Sequence, residues 1–221
     1  KFAKKVAKHS IVIDNSSFFR MDPDVPLIVP QVNSEDLKNI KKNIIANANC
    51  STIQMVIALK PLHEIFKIKR IVVSTYQSVS GAGKGPMDEL IDQTKLALDN
   101  KKINSKNFTK QIAFNSIPHI DIFSNDGYTK EEMKMINETK KILGKSINVT
   151  ATCVRVPVLV SHAESVNIEF EKEFTLEKVI NLLENAEGCK VINEQKDGGY
   201  MTQLEAAGKD ETFISRIRKD N

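Results

Sequence analysis

Ile44-Ile45-Ala46-Asn47-Ala48-Asn49-Cys50-Ser51-Thr52-Ile53-Gln54-Met55-Val56-Ile57 is the stretch on which the reading of this chain turns. Ile44-Ile45-Ala46 has the make-up of a short strand, and the spacing from Ser51 onward puts Ile53, Val56 and Ile57 on one face of a helix. Pro61 is expected to disturb that helix, because proline lacks the N–H and crowds the preceding turn. Between strand and helix lies a polar turn that ends on Cys50. The first N–H groups of a helix have no partner inside it, and the dipole is positive there, so a thiol at this point is expected to favour the thiolate. Free cysteine more often packs as a small apolar residue. Asn49 before Cys50 and Ser51-Thr52 after it make a polar helix start instead, which points to a nucleophile.

Working outward, Ile11-Val12-Ile13 within His9 to Asp14 reads as a strand that ends in a polar cluster, where open α/β sheets place their ligands. Ser34 to Asn43 reads as a short helix capped by Ser34, with Leu37 and Ile40 inward. Arg70 to Tyr76 is a β-branched strand, Gly81 to Pro86 a loop, and Met87 to Asn100 a helix carrying Met87, Leu90, Ile91 and Leu98. Thr129 with Glu132 forms a capping box, and the helix it opens should bear Met133, Ile136, Lys140 and Leu143 on one stripe before closing at Gly144. Val154, Val156, Val158 and Val160 alternate along Asn148 to Phe170, which is strand periodicity over unusual length. Thr175 to Gly188 reads as a helix and Glu211 to Arg218 as a last strand. Long strands with helices between them, and no regular βαβ spacing after Cys50, predict an α+β domain on a mixed sheet, with a boundary at about Asn49.

The 221 residues can bury a full core, and 41% hydrophobic with 27% charged residues is ordinary for a soluble globular protein. A net charge of +4 does not make a nucleic-acid surface, because Lys and Glu are interspersed and aromatics are sparse. The basicity is read as a solvated surface with a few anion-binding side chains. Cys50, Cys153 and Cys189 show no CxxC spacing, which argues against a disulfide framework, a zinc ribbon or any other metal site. No apolar run approaches the roughly 18 residues needed to cross a bilayer, so no membrane partner is expected and the chain reads as cytoplasmic.

Four histidines compete for acid–base work. His9, His63 and His119 read as structural, whereas His162 lies in the polar break Ser161-His162-Ala163-Glu164-Ser165, where an imidazole could reach a cleft. Arg155 is a charge in an otherwise apolar strand, so its guanidinium needs an anion, either a substrate carboxylate or an internal partner such as Glu169 or Glu171. Arg155 and His162 are seven residues apart and would face opposite ways on an unbroken strand. For both to serve one site, the strand must bulge or end near Pro157 or Ser161. Gln77, at a strand end, can orient a carbonyl or donate to an oxyanion. Glu131 and Lys134, three apart at a helix start, ordinarily make only a weak exposed ion pair. The loop Ser80-Gly81-Ala82-Gly83-Lys84-Gly85-Pro86 is neither a Walker A loop, since Lys84 is followed by Gly85, nor GxGxxG, since position 86 is Pro.

Asn49-Cys50-Ser51-Thr52-Ile53-Gln54-Met55 follows Ile13-Asp14-Asn15-Ser16-Ser17-Phe18-Phe19-Arg20-Met21-Asp22. It precedes Ser74-Thr75-Tyr76-Gln77-Ser78-Val79-Ser80-Gly81-Ala82-Gly83, Cys153-Val154-Arg155-Val156-Pro157, Gly208-Lys209-Asp210 and Arg216-Ile217-Arg218. Taken in this order, these segments closely resemble aspartate-semialdehyde dehydrogenase. The resemblance implies a glyceraldehyde-phosphate-dehydrogenase-like catalytic and dimerisation domain over 50–221, preceded at 1–49 by the remnant of a Rossmann-type NADP-binding domain. With Lys1 first and no glycine-rich cofactor turn, the chain is expected to be the central and catalytic portion of a longer enzyme. The implied reaction is NADPH-dependent reduction of L-aspartyl 4-phosphate to L-aspartate 4-semialdehyde through a cysteine thioester, a step toward lysine, threonine and methionine. The implied catalytic residues are Cys50, His162 and Gln77. Arg155 would bind the α-carboxylate, Glu131 the amino group, and Lys134 and Arg20 the phosphate, with Asn49 assisting and Ser80 and Gly81 along the cofactor. A homodimer or homotetramer is implied. The alternatives are an acyl-phosphate reductase for N-acetylglutamyl or glyceraldehyde phosphate, and a non-catalytic dimerisation module that binds NADPH poorly.

Overall fold

A computed structural model describes residues 2–220. The chain opens with a short helix, α1 (Ala3–Val6), followed by β1 (Val12–Asp14), β2 (Leu27–Ile28), a helical turn α2 (Pro30–Asn33) and β3 (Ile44–Asn47). β3 is the centre of a parallel three-stranded sheet in the order β1-β3-β2. The expected helix from Ser34 is only a 3-10 segment, Ser34–Asn39, with Leu37 exposed. The α-helical turn comes earlier because Pro30 takes its first position, and the amide of Asn33 ties off Val29 N and Leu27 O.

The helix α3 runs unbroken from Cys50–Phe66 despite Pro61. Proline at 61 frees the carbonyl four residues back, and Cys189 Sγ donates to that Ile57 oxygen at 3.8 Å. Then come β4 (Ile68–Gln77), α4 (Lys84–Leu98), α5 (Lys130–Leu143), β5 (Asn148–Arg155), β6 (Ala163–Phe170), α6 (Leu176–Glu184), β7 (Cys189–Val191), α7 (Gln203–Ala206) and β8 (Thr212–Ile214). The predicted loop from Gly81 is a 3-10 turn, Val79–Ala82, that leads at once into α4. The last strand keeps only three of its expected residues.

A second sheet has the order β5-β4-β6, with β5 parallel and β6 antiparallel to β4. The segment 148–170 is therefore two strands on opposite sides of β4, and of the alternating valines only Val154 lies in a strand, with Val156, Val158 and Val160 in the connection. After Arg155 the chain runs beside the end of β4, with Val156 N donating to Gln77 O, Val79 N to Val158 O and Ser80 N to Leu159 O. It reverses at Ser161, which sits at φ 76°. The buried face of β5 is Ala151, Cys153 and Arg155, not the valines.

α3 lies between the two sheets. Val56 packs into the core of the first with Leu27, Ile44 and Ala46, and Ile53 and Ile57 lie against it, as the periodicity predicts. Met55 and Leu59 pack into the second with Ile71, Val73, Met135 and Cys153. Burial on both sides holds the helix start rigidly at the junction of the sheets. Among the described residues no helix is long and apolar enough to cross a membrane, and no cluster of His, Cys, Asp and Glu could hold a metal.

Candidate active site

Asn49 caps α3. Its Oδ1 accepts from Ser51 N at 3.0 Å and Thr52 N at 3.4 Å, its own N–H donates to Glu138 Oε2 at 2.6 Å, and its Nδ2 donates to Glu131 Oε1 at 2.9 Å. A residue with every polar group engaged is a positioning device. It aims the first turn so that Cys50 is exposed on a large cleft also lined by Gln54, Ser80, His162 and Glu164.

The surroundings of the sulfur oppose the expected resting thiolate. Although the residue as a whole is exposed, the protein groups crowding its sulfur raise the thiol pKa from its ordinary value and the Glu131 carboxylate adds to the effect, outweighing the bonds of the helix start. A helix terminus favours a thiolate only while no fixed anion opposes it.

His162 follows the Ser161 reversal, which brings its ring back over the end of β4. Ser78 N donates to Nδ1 at 3.0 Å, so the neutral ring carries its proton on Nε2. Burial, and next the charge of Arg155, lower its pKa, because both disfavour the imidazolium. Arg155 is 6% exposed, and its Nη1 donates to Ser78 O at 2.6 Å. No carboxylate of the described residues lies within ion-pair distance of it, and Glu169 pairs with Lys69 instead. A β-carbon added at Gly81 would lie 3.3 Å from both Arg155 Nη1 and His162 Nε2. Glycine therefore leaves open the space in front of both groups, and the required break between Arg155 and His162 is present.

Gln77 is buried, and its Nε2 reaches Glu131 Oε1 at 3.4 Å. Glu131 accepts also from Lys134 at 3.0 Å, and these donors hold its carboxyl below the usual range against the opposing effect of burial. Arg155, Gln77, Glu131, Asn49 and Gly81 are not among the residues lining the cleft with Cys50, Ser80 and His162, and neither are Arg20 and Lys134. The last two share a second, shallow pocket with Ser17, Lys130 and Asn137, Arg20 bridging to Glu138 at 3.0 Å and Lys134 to Asp121 at 2.9 Å. Glu131 and Glu138, both on α5, join that pocket to Asn49 and so to the Cys50 turn. His63 and His119 are structural: His63 Nδ1 accepts from Ile68 N at 3.0 Å, and His119 stacks on Phe123. His9 is exposed and lines neither pocket.

The sequence reading missed Ser78, Glu138, Gln54 and Glu164. Serine at a strand end carries no signal. Glu138 sits one heptad beyond Glu131, a spacing that returns to the same helix face, which is the hint that was available.

Residues 59–221 match the family model described as semialdehyde dehydrogenase, dimerisation domain, and residues 1–40 match semialdehyde dehydrogenase, NAD binding domain. The chain is 54% identical, over its whole length, to the aspartate-semialdehyde dehydrogenase of Aquifex aeolicus (strain VF5), of which it spans 66%. Its structure resembles that of aspartate semialdehyde dehydrogenase II from Vibrio cholerae complexed with ASA, at TM-score 0.96 and 48% identity, covering 100% of this chain and 66% of the other. It also resembles the Candida albicans enzyme with NADP, at TM-score 0.69 and 25% identity, covering 95% of this chain and 62% of the other.

Proposed function

Because this chain belongs to the semialdehyde dehydrogenase family, we propose that its cleft performs acyl transfer to Cys50 within the NADPH-dependent reduction of L-aspartyl 4-phosphate to L-aspartate 4-semialdehyde. In this reading 1–49 belongs to the cofactor-binding part and 50–221 to the catalytic and dimerisation part of a homodimeric or homotetrameric enzyme of amino-acid biosynthesis. The observation that carries it is the convergence at Gly81 of the Arg155 guanidinium, which no carboxylate of the described residues approaches within ion-pair distance, and the His162 imidazole, which has a defined tautomer and lines the cleft onto which Cys50 opens from the helix start.

Arg155 binds the substrate carboxylate, since its fork is the only part of the site built for a planar anion. Cys50, exposed on the cleft, gives its proton to solvent, and the thiolate attacks the acyl carbon as the acyl–phosphate bond breaks and phosphate leaves. His162 donates from Nε2 to the oxygen that becomes an oxyanion, and the Gln77 amide lies close enough to Glu131 to assist in orienting the acyl group. Glu131 receives the substrate amino group alongside Lys134, and Lys134 and Arg20 draw the phosphate toward the shallow pocket as it leaves. A thioester on Cys50 results. A nicotinamide cofactor, when bound, supplies the hydride that takes the thioester carbon to the aldehyde level. Ser80 and Gly81 would lie along it, and the exposed glycine with no side chain fits that approach.

The test is acylation of this chain by L-aspartyl 4-phosphate, followed by intact mass. An aspartyl adduct on Cys50, absent from Cys50→Ser, is expected. In the full-length protein, phosphate-dependent reduction of NADP by L-aspartate 4-semialdehyde is expected. Preference for N-acetylglutamyl or glyceraldehyde substrates, or no adduct at all, would overturn the reading.

A further inference from the structure

Two residues on the cleft have no part in the chemistry above. Gln54 stands one turn after Cys50 on α3, and Glu164 stands two residues after His162 on β6. Gln54 Nε2 donates to Glu164 Oε1 at 2.8 Å. That bond joins the helix carrying the thiol to the strand that continues from the imidazole. We propose that Glu164, held by Gln54, is a positioning residue of this site, fastening the Cys50 helix to the His162 strand. The inference rests on Cys50 being the nucleophile of the proposed reaction.

The clamp works uncharged. Gln54 is the one hydrogen-bond donor to the carboxyl, and no Lys, Arg or His of the described residues lies within ion-pair distance. Its register partner on β4 is Thr75, which carries no charge. The titratable groups around it are Cys50 on α3, Cys153 on β5 beyond Thr75, and His162 on its own chain segment, none of them a cation at neutral pH. Arg70, Lys209, Arg216, Arg218 and Lys219 line the same cleft, and none of them makes an ion pair with this carboxyl. Burial accordingly pushes the carboxyl up to about 8. A neutral acid can accept the Gln54 bond without placing a charge behind the thiol. Once ionised, it would oppose thiolate formation at Cys50, as Glu131 already does.

Two reactions of Cys50 separate reactivity from alignment. Alkylation by iodoacetamide needs only the thiolate, whereas acylation by the acyl phosphate needs Cys50 and His162 together. Glu164→Gln keeps an oxygen for Gln54 and cannot ionise. It is expected to alkylate within about twofold of the parent below pH 7 and roughly three- to tenfold faster near pH 9, the size of up to one pKa unit. Gln54→Leu is expected to alkylate normally at pH 7 and to acylate about tenfold or more slowly. Superposable alkylation profiles for Glu164→Gln and the parent, or full acylation by Gln54→Leu, would overturn the clamp. If either variant fails to fold, infrared spectroscopy of the parent decides. A protonated-carboxyl band that disappears near pH 8 and matches Glu164 by isotope labelling supports the inference, and its absence at neutral pH refutes it. Expected alkylation behaviour with no acylation of the parent tells against the proposed reaction while supporting the clamp.

Discussion

Arg155 owes its place to a strand that would otherwise be all apolar, and that anomaly was legible before any coordinates. What the sequence could not show is that neither Glu169 nor Glu171 reaches it, which leaves its fork open toward Gly81. Replacing Arg155 by Leu should lower kcat/KM for the carboxylate-bearing substrate by roughly a hundredfold, since a charge-assisted pair is worth about 1.5–3 kcal/mol and Arg155 is buried. Steady-state kinetics would check it, with alkylation of Cys50 expected to survive. His162 has its pKa lowered by burial and Arg155, so it stays neutral as pH rises from below the ordinary imidazole value. The pH profile of acylation should therefore lack an inflection near 6.5, and one at that value would contradict the lowered pKa of His162. Glu164 titrates in the opposite sense. Folded, it keeps its proton to about 8, whereas the unfolded chain releases it near 4.5, so the folded state binds more protons in between. Stability should fall as pH rises across that window and then level, and urea unfolding at a series of pH values should show the slope vanish in Glu164→Gln.

Among the elements, α5 matches its sequence reading at the ends and only in part on its face. The capping box of Thr129 and Glu132 is formed in both directions, and Gly144 closes the helix. Ile136 is buried and Leu143 packs on both cores, as the spacing predicts, yet the buried face also carries Glu131, Glu132, Met135, Glu138 and Thr139, because this helix delivers carboxylates to Asn49, Gln77 and Arg20 as well as packing on β5. A periodicity argument that treats glutamate as outward cannot find such a face. Thr129→Ala removes a cap and should cost about 1 kcal/mol, or a few degrees of Tm by calorimetry. Asn49→Ala should cost more, about 2–4 kcal/mol, because it removes a cap and takes a buried donor from the Glu131 carboxylate. α3 shows a similar limit: one of its apolar faces was visible in the spacing, while Met55 and Leu59 acquire their meaning only from a second sheet.

Across the whole molecule, the second sheet is covered by α3 and α5 on one face, while the other face presents Arg70, Val72, Ser74 and Tyr76, exposed or half-buried. We expect a second copy to associate with this chain, and analytical ultracentrifugation should show a concentration-dependent dimer; a monomer throughout would count against the proposed assembly. By itself the sequence determined the local pieces: the strand-turn-helix at Cys50, the capping box of Thr129 and Glu132, the short strands, and the requirement for a break between Arg155 and His162. These depend on residues near one another in the chain, where backbone geometry and side-chain type suffice. Only the tertiary structure decided which side of β4 each half of 148–170 joins, that Ser78 sets the tautomer of His162, and that desolvation of the sulfur, with Glu131 adding to it, outweighs the helix start at Cys50. Those outcomes come from groups far apart in sequence, and burial and charge act through distance in space.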